Sequence, residues 1–191
     1  EKTGGPKCPD SIIYEAYKRD IPIFCPAFSD CSAGFGLVAI QAAKGDAPLM
    51  SWDGGKDFYE WTQRKRKNKE TGLLIIGGGV PKNYSLQPEP ALSQIFFLDN
   101  IRGYDYDAQI VSAPVTDGSL SSCEPAEAVS WGKVNPETYT TQTVSMQGDY
   151  SSYMPFVVRA LVGKDLLHNP PEPLRLYAKR EALKATQLKT V

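Results

Sequence analysis

Residues 72–79 read GLLIIGGG: four consecutive large apolar side chains running straight into three glycines. So short and uniformly apolar a run predicts a buried strand, and the glycines predict a sharp turn at its carboxyl end. Comparable runs occur at PIFCPAF (22–28, bounded by prolines), PLMSW (48–52), YDAQIVSA (106–113) and TQTVSMQGD (141–149). Helical patterns lie between them. They are SIIYEAYKR (11–19) with Asp10 as its N-cap, FGLVAIQAAK (35–44), KDFYEWTQRKRKNKE (56–70) and PALSQIFFL (90–98). A further helix opens at EPAEAV (124–129), and YMPFVVRALVG (153–163) follows with Pro155 in its first turn. Strands alternating with helices, each strand ending in a glycine or acidic loop, predict an α/β fold. The expected form is a mostly parallel, Rossmann-like sheet with helices on both faces. Residues 1–168 are expected to form this domain, and residues 169–191, with Pro170, Pro171 and Pro173, a Pro-rich C-terminal arm.

A chain of 191 residues, 41% hydrophobic and 23% charged, suffices for one domain with its own core. A net charge of −1 gives no electrostatic footprint for nucleic acid or for an anionic membrane. No apolar run approaches the roughly 18 residues that cross a bilayer, and no secretory leader is visible. Residue 1 is Glu, so the chain is expected to be processed, trimmed or one piece of something larger. The cysteines Cys8, Cys25, Cys31 and Cys123 form no CxxC pair, and His168 is the single histidine. The expectation is free thiols in a reducing, cytoplasmic compartment and no metal site. The basic run 64–69 reads as the solvated end of a helix.

In a parallel α/β sheet, ligands collect outside the carboxyl ends of the strands. Four predicted ends are chemically loaded: Ser29-Asp30, Gly77-Gly78-Gly79, Ser112-Ala113 and Gly148-Asp149. Glycines let a phosphate or ring approach the backbone, and an aspartate there accepts hydrogen bonds from ribose hydroxyls. This describes a dinucleotide site. Yet GGGVPK departs from GxGxxG, with Lys82 where the third glycine belongs, so tight-turn glycines are the competing reading. A second candidate is EAVSWGK (127–133). A lysine attacks carbon only in its neutral form, and desolvation favours that form. Trp131 beside Lys133 is expected to wall off water. The competing readings are a surface lysine snorkelling past a ring and, for Glu127, a helix-start charge.

Taken together, these stretches resemble the deoxyhypusine synthase family over about residues 8–163, in the family's order. EAVSWGK resembles its lysine motif, which implies that Lys133 is the covalent lysine, with Glu127 and Trp131 in polyamine binding. IPIFCPAFSD (21–30) resembles the strand ending in an NAD-contacting aspartate, Asp30. LLIIGGGVPKN (73–83) resembles the glycine turn, implying cofactor contact at Gly78 and Gly79. QIVSAPVTDGSLSS (109–122) adds Ser112 and Ala113, and GDYSSYMPF (148–156) adds Asp149 and Tyr150. The implied cofactor is NAD. The implied activity is aminobutyl (aminoalkyl) transfer: hydride removal from an amine-bearing carbon leaves an imine, which Lys133 captures covalently. The small diamine leaves, an acceptor amine displaces the lysine, and hydride returns.

Three positions depart from the protein-modifying members. Phe35 and Leu120 stand where acids would be, and Asn83 where a histidine would be, in the substrate region. Fewer carboxylates should weaken the grip on a long polycation. The pattern is closer to the deoxyhypusine synthase-like branch, similar to homospermidine-forming enzymes, with a small amine as acceptor. The alternatives are a deoxyhypusine synthase proper, which modifies a lysine of a translation factor, and a catalytically silent partner of an active paralogue. The resemblance starts well inside the family fold and makes residues 1–168 its C-terminal portion. It therefore implies a companion N-terminal segment or chain in an oligomer, a tetramer by resemblance.

Overall fold

The computed structural model describes residues 11–45 and 52–163. The described residues fall into two compact units, one within Cys25–Met154 and a second holding residues 11–24 and 155–163. In chain order the helices are α1 (Ile12–Lys18), α2 (Ser32–Lys44), α3 (Gly54–Arg66), α4 (Gly79–Leu86), α5 (Pro88–Gln94), α6 (Pro125–Val129) and α7 (Tyr150–Gly163). No described helix is long and apolar enough to cross a membrane.

The first unit is built on three strands, β1 (Gly72–Ile76), β2 (Tyr106–Val111) and β3 (Thr143–Gln147). They lie in the order β1-β2-β3, and both pairings are parallel. Parallel neighbours need crossovers, and α4 with α5 supplies the first and α6 the second. The register sets Ile76 beside Ile110 and Val111 beside Gln147. All three carboxyl ends therefore lie along one edge. Side chains alternate across the sheet. On one face Ile75, Asp107, Gln109 and Val111 are buried. On the other, Leu74, Ile76, Val144 and Met146 are 41–57% exposed. The sheet is thus α/β and parallel as expected but small. Among the described residues this second face is largely exposed, Ile110 apart, which is buried.

The core sits where α3, α4 and α5 meet the start of β2. Asp53 caps α3, its Oδ1 accepting from the Lys56 backbone N–H at 2.9 Å, which starts the helix at Gly54. Lys65 of α3 and Glu89 of α5 form a buried ion pair, with Lys65 Nζ 4.8 Å from the centre of the Tyr104 ring. The Tyr104 hydroxyl and the Trp61 indole N–H both donate to Ser85 O, at 2.8 and 3.3 Å.

Several expectations are corrected. Residues 22–28 form no strand. They run irregularly into a turn and a short 3-10 segment, Phe28–Asp30. Pro22 and Pro26 lack the N–H groups a central strand would need. The helix expected over 90–98 starts at Pro88 and stops at Gln94, and beyond it Phe97, with a left-handed φ of 51°, turns the chain away. The last helix starts at Tyr150, so Pro155 lies inside it rather than in its first turn. The helix after the glycines, α4, was not expected. Asp10, residues 48–51 and the 169–191 arm lie outside the described residues, and Trp52 is not in a strand.

Gly103 shows how tightly the core closes. Its φ is +80°, and a Cβ there would stand 2.6 Å from the carbonyl carbon of Val134. Gly103→Ala is expected to lose roughly 2–3 kcal/mol of stability in urea unfolding. Gly36→Ala, with nothing within 4 Å of the new methyl, should lose none. Equal midpoints for the two variants would show that the contact is soft.

Candidate active site

The site is fixed first by backbone. The carboxyl end of α6 closes with two hydrogen bonds, Gly132 N–H to Val129 O at 2.9 Å and Lys133 N–H to Ala128 O at 3.1 Å. This is the Schellman pattern, and it requires the left-handed residue that Gly132 supplies at φ 67°. The chain then enters a parallel bridge between Tyr104 and Val134. Tyr104 N–H donates to Lys133 O and Asn135 N–H to Tyr104 O, each at 2.9 Å. Val134 is fully buried. Asn135 Nδ2 donates to Asp105 Oδ1 at 3.0 Å, and the other carboxylate oxygen of Asp105 accepts from Thr71 N–H at 2.9 Å. The lysine backbone is therefore held from both sides.

Its side chain is half-buried. Nζ donates to Asn83 Oδ1 at 2.8 Å and lies 5.7 Å from the centre of the Trp131 ring. Burial lowers the pKa of the Lys133 ammonium, and the nearby Cys123 opposes that shift. Burial foremost pushes the Cys123 thiol up, with Glu127 adding to the rise and Lys82 and Lys133 opposing it. Lys133 and Asn83 thus lie in contact, with Cys123 close enough to act on Lys133 and Glu127 close enough to act on Cys123. Trp131 is 69% exposed. It offers Lys133 a ring face and does not wall off water as expected.

Beneath Lys133 is a lysine that the sequence marks only as a departure from GxGxxG. Lys82, on α4, is 5% exposed. Its Nζ donates to Gln109 Oε1 at 2.8 Å and to Cys123 O. Gln109 Nε2 in turn bonds Cys123 O at 3.2 Å and Ser145 Oγ at 2.7 Å. Burial lowers the Lys82 pKa, with Cys123, Asp107 and Glu127 opposing. Asp107 is buried with one oxygen lacking a hydrogen-bond partner, and its pKa rises from 3.8 to about 6 through desolvation, which Lys82 partly offsets. Asp107 and Gln109 stand two apart in YDAQIV, the spacing that puts both on one strand face.

The other candidates line the strand ends. Gly77 and Gly78 have φ of 68° and 74°, and the space beside Gly77 is open. Gly79 begins α4, and a Cβ there would meet Leu120 Cβ at 2.9 Å, so the loop after β2 packs against it. Ser112 and Ala113 follow β2 directly. Gly148 N–H bonds Val111 O at 2.8 Å, which keeps β3 in step past its end. Asp149 Oδ1 accepts from Ser151 N–H at 2.8 Å and Ser151 Oγ at 2.6 Å, and these bonds hold its carboxyl below the usual range. Tyr150 is exposed at the start of α7. Asp30 ends the 3-10 segment, exposed, and no hydrogen bond joins it to the strand-end residues. The open glycine turn, next to a helix start and two further strand ends, fits a dinucleotide.

The sequence model of deoxyhypusine synthase matches residues 4–161. The chain belongs to the deoxyhypusine synthase family. It is 48% identical over 126 residues to the deoxyhypusine synthase-like protein of Chlorobaculum tepidum, covering 66% of this chain and 35% of that one. Identity to the corresponding protein of Elusimicrobium minutum is 48% over 126 residues, covering 66% and 33%. Identity to the probable deoxyhypusine synthase 2 of Methanosarcina acetivorans is 40% over 152 residues, covering 80% and 42%. The chain therefore spans 33–42% of the length of these relatives.

Two measurements probe this deoxyhypusine synthase-family site. Asn83→Asp places a carboxylate where the Lys133 amine now meets an amide. The Lys133 titration should rise by roughly 1 pH unit or more, read as the pH dependence of its acylation by peptide mass spectrometry. An unmoved profile would show that the 2.8 Å contact does not govern the amine. Asp107 has a folded pKa above its unfolded one, so the folded state binds the extra proton between pH 3.8 and about 6. Its contribution is full below that window and lost as pH rises through it. Asp107→Asn should therefore gain Tm relative to the parent on going from pH 4 to pH 7. A constant difference would contradict the buried carboxyl.

Proposed function

We propose that the chain is the lysine-bearing part of an NAD-dependent aminoalkyl transferase acting through a covalent imine on Lys133. The observation that carries this reading is the Lys133 amine. It is half-buried, depressed in pKa by burial, bonded at 2.8 Å to the neutral acceptor Asn83, and mounted on backbone fixed at both ends. Such an amine is available in its neutral form nearer neutral pH than a free lysine. NAD, when bound, supplies the acceptor and later the donor of hydride. Gly78 and Gly79, with Ser112 and Ala113, would line it along the strand ends. Asp149, Tyr150 and Asp30 would take its more distant hydroxyls and ring.

Lys133 Nζ then attacks the imine carbon of the substrate, the donor amine leaves, and an acceptor amine later displaces the lysine. Asn83 orients Nζ for both exchanges. Glu127 binds one substrate ammonium, and the exposed Trp131 ring offers a cation–π contact of about 0.5–2 kcal/mol. Leu120 and Phe35, both exposed, add no carboxylate for a long polycation. This favours a small amine acceptor, in homospermidine-type polyamine metabolism, over a protein lysine. Because the chain spans 33–42% of its relatives' lengths, we propose that a companion segment or chain completes the pocket within an oligomer.

The test is borohydride trapping with NAD and, in turn, spermidine, putrescine, agmatine and a hypusine-type acceptor protein. The expected product is an aminoalkyl adduct on the peptide containing Lys133, formed with small amines. Lys133→Arg should remove it while leaving the fold and NAD binding intact. Absence of any adduct in the assembled oligomer would favour a silent partner, and an adduct surviving in the arginine variant would move the covalent role elsewhere.

A further inference from the structure

Two free cysteines lie together, flanking the turn that carries Asp30 and away from Lys133. Cys25 Sγ and Cys31 Sγ are 3.6 Å apart, and each is partly accessible. The segment between them, Pro26–Asp30, is a turn and one 3-10 segment, closed by Asp30 N–H to Ala27 O at 3.0 Å. It is pressed against the first turn of α2, where a Cβ on Gly34 would meet Phe28 O at 2.7 Å. The backbone therefore already holds the two thiols together. We infer that Cys25 and Cys31 are a reversible dithiol–disulfide pair that latches the turn carrying Asp30.

The two sulfurs differ in the way such chemistry needs. Cys31 is the N-cap residue of the thirteen-residue α2, although its side chain makes no capping bond; the Gly34 backbone N–H foremost, then Cys25, pull its pKa down against the opposing effects of burial and Asp30. Burial foremost, then Cys31, pushes Cys25 up. Cys31 is thus the attacking thiolate and Cys25 the resolving thiol. The oxidant is a low-molecular-weight disulfide. The Cys31 thiolate attacks one of its sulfurs, forming a mixed disulfide and expelling one thiolate. Cys25 then loses its proton, attacks Cys31 Sγ and expels the second. The reagent gains two electrons and leaves as two thiols, while the protein loses two hydrogens. Closure shortens the sulfur separation to about 2.0 Å and removes the Cys31 thiol from Phe28 O, which it now meets at 3.0 Å. The proposal does not depend on the function assigned to Lys133.

The full chain, reduced and then exposed to oxidised glutathione, is quenched with an alkylating reagent and mapped by peptide mass spectrometry. The expected result is an internal Cys25–Cys31 disulfide that dithiothreitol reverses, with slower amide hydrogen exchange over residues 27–34. Cys25→Ser should stop at a stable glutathione adduct on Cys31, and Cys31→Ser should leave Cys25 largely alkylatable. Full alkylation of both cysteines after oxidation, or pairing of either with Cys8 or Cys123, would overturn the pair. Faster adduct formation at Cys25 in Cys31→Ser than at Cys31 in Cys25→Ser would overturn the order of attack.

Discussion

The candidate nucleophile depends on one backbone contact, the parallel bridge between Tyr104 and Val134. Tyr104 N–H holds the Lys133 carbonyl. The hydroxyl of the same tyrosine bonds Ser85 O on α4, two residues beyond Asn83, the acceptor of the Lys133 amine. Lys133 and its partner are thus referenced to a single buried residue from opposite sides. The Tyr104 ring is held in turn under Lys65 and the α3–α5 pair. Loosening this core would separate the amine from its acceptor without touching either. Catalytic geometry requires positioning of that kind, because small displacements of a reacting group cost much rate.

Two lysines here have depressed pKa values from the same cause, and hydrogen bonding separates their roles. Lys82 is nearly sealed, with a side-chain amide and a backbone carbonyl as acceptors and the Asp107 carboxylate acting on it. Freeing it to attack would strand Gln109 Oε1 in the interior, at a cost of about 1–3 kcal/mol, and leave Cys123 O only its bond from Gln109 Nε2. Lys133 has one neutral acceptor and an exposed ring beside it. The interior lysine ties α4 to β2 and to the loop before α6. The outer one holds a single acceptor, Asn83, and leaves the polar groups beneath it to the inner one.

Much of this frame was legible in sequence because it follows from local rules. GLLII running into glycines, and YDAQIV and TQTVSMQ in the same pattern, mark the three strands found. The glycine in SWGK is the residue that a left-handed turn requires. What depended on tertiary packing was not legible. Nothing in GGGVPKN announces that Lys82 is buried, since its partners come from residues 109 and 123. The same stretch concealed α4, because three glycines and a proline read as a loop. Yet Pro81 falls in the first turn, where helix N–H groups have no partner to lose. PIFCPAF has the hydrophobicity of a strand but no neighbouring strand among the described residues to receive it. The exposure of Trp131 could not be read either, since neighbours in sequence say nothing about what stands above the ring.

That exposure changes the part burial plays in the proposed reaction. An indole sealing a dry pocket would depress the lysine pKa by itself. Here the depression arises from the protein beneath the amine, and the ring face stays open. A protonated Lys133, 5.7 Å from the ring centre, competes for that face and repels any ammonium approaching it. A neutral Lys133 does neither. On the proposed function, the desolvation that makes the amine nucleophilic therefore also clears the aromatic surface on which a cationic substrate would rest.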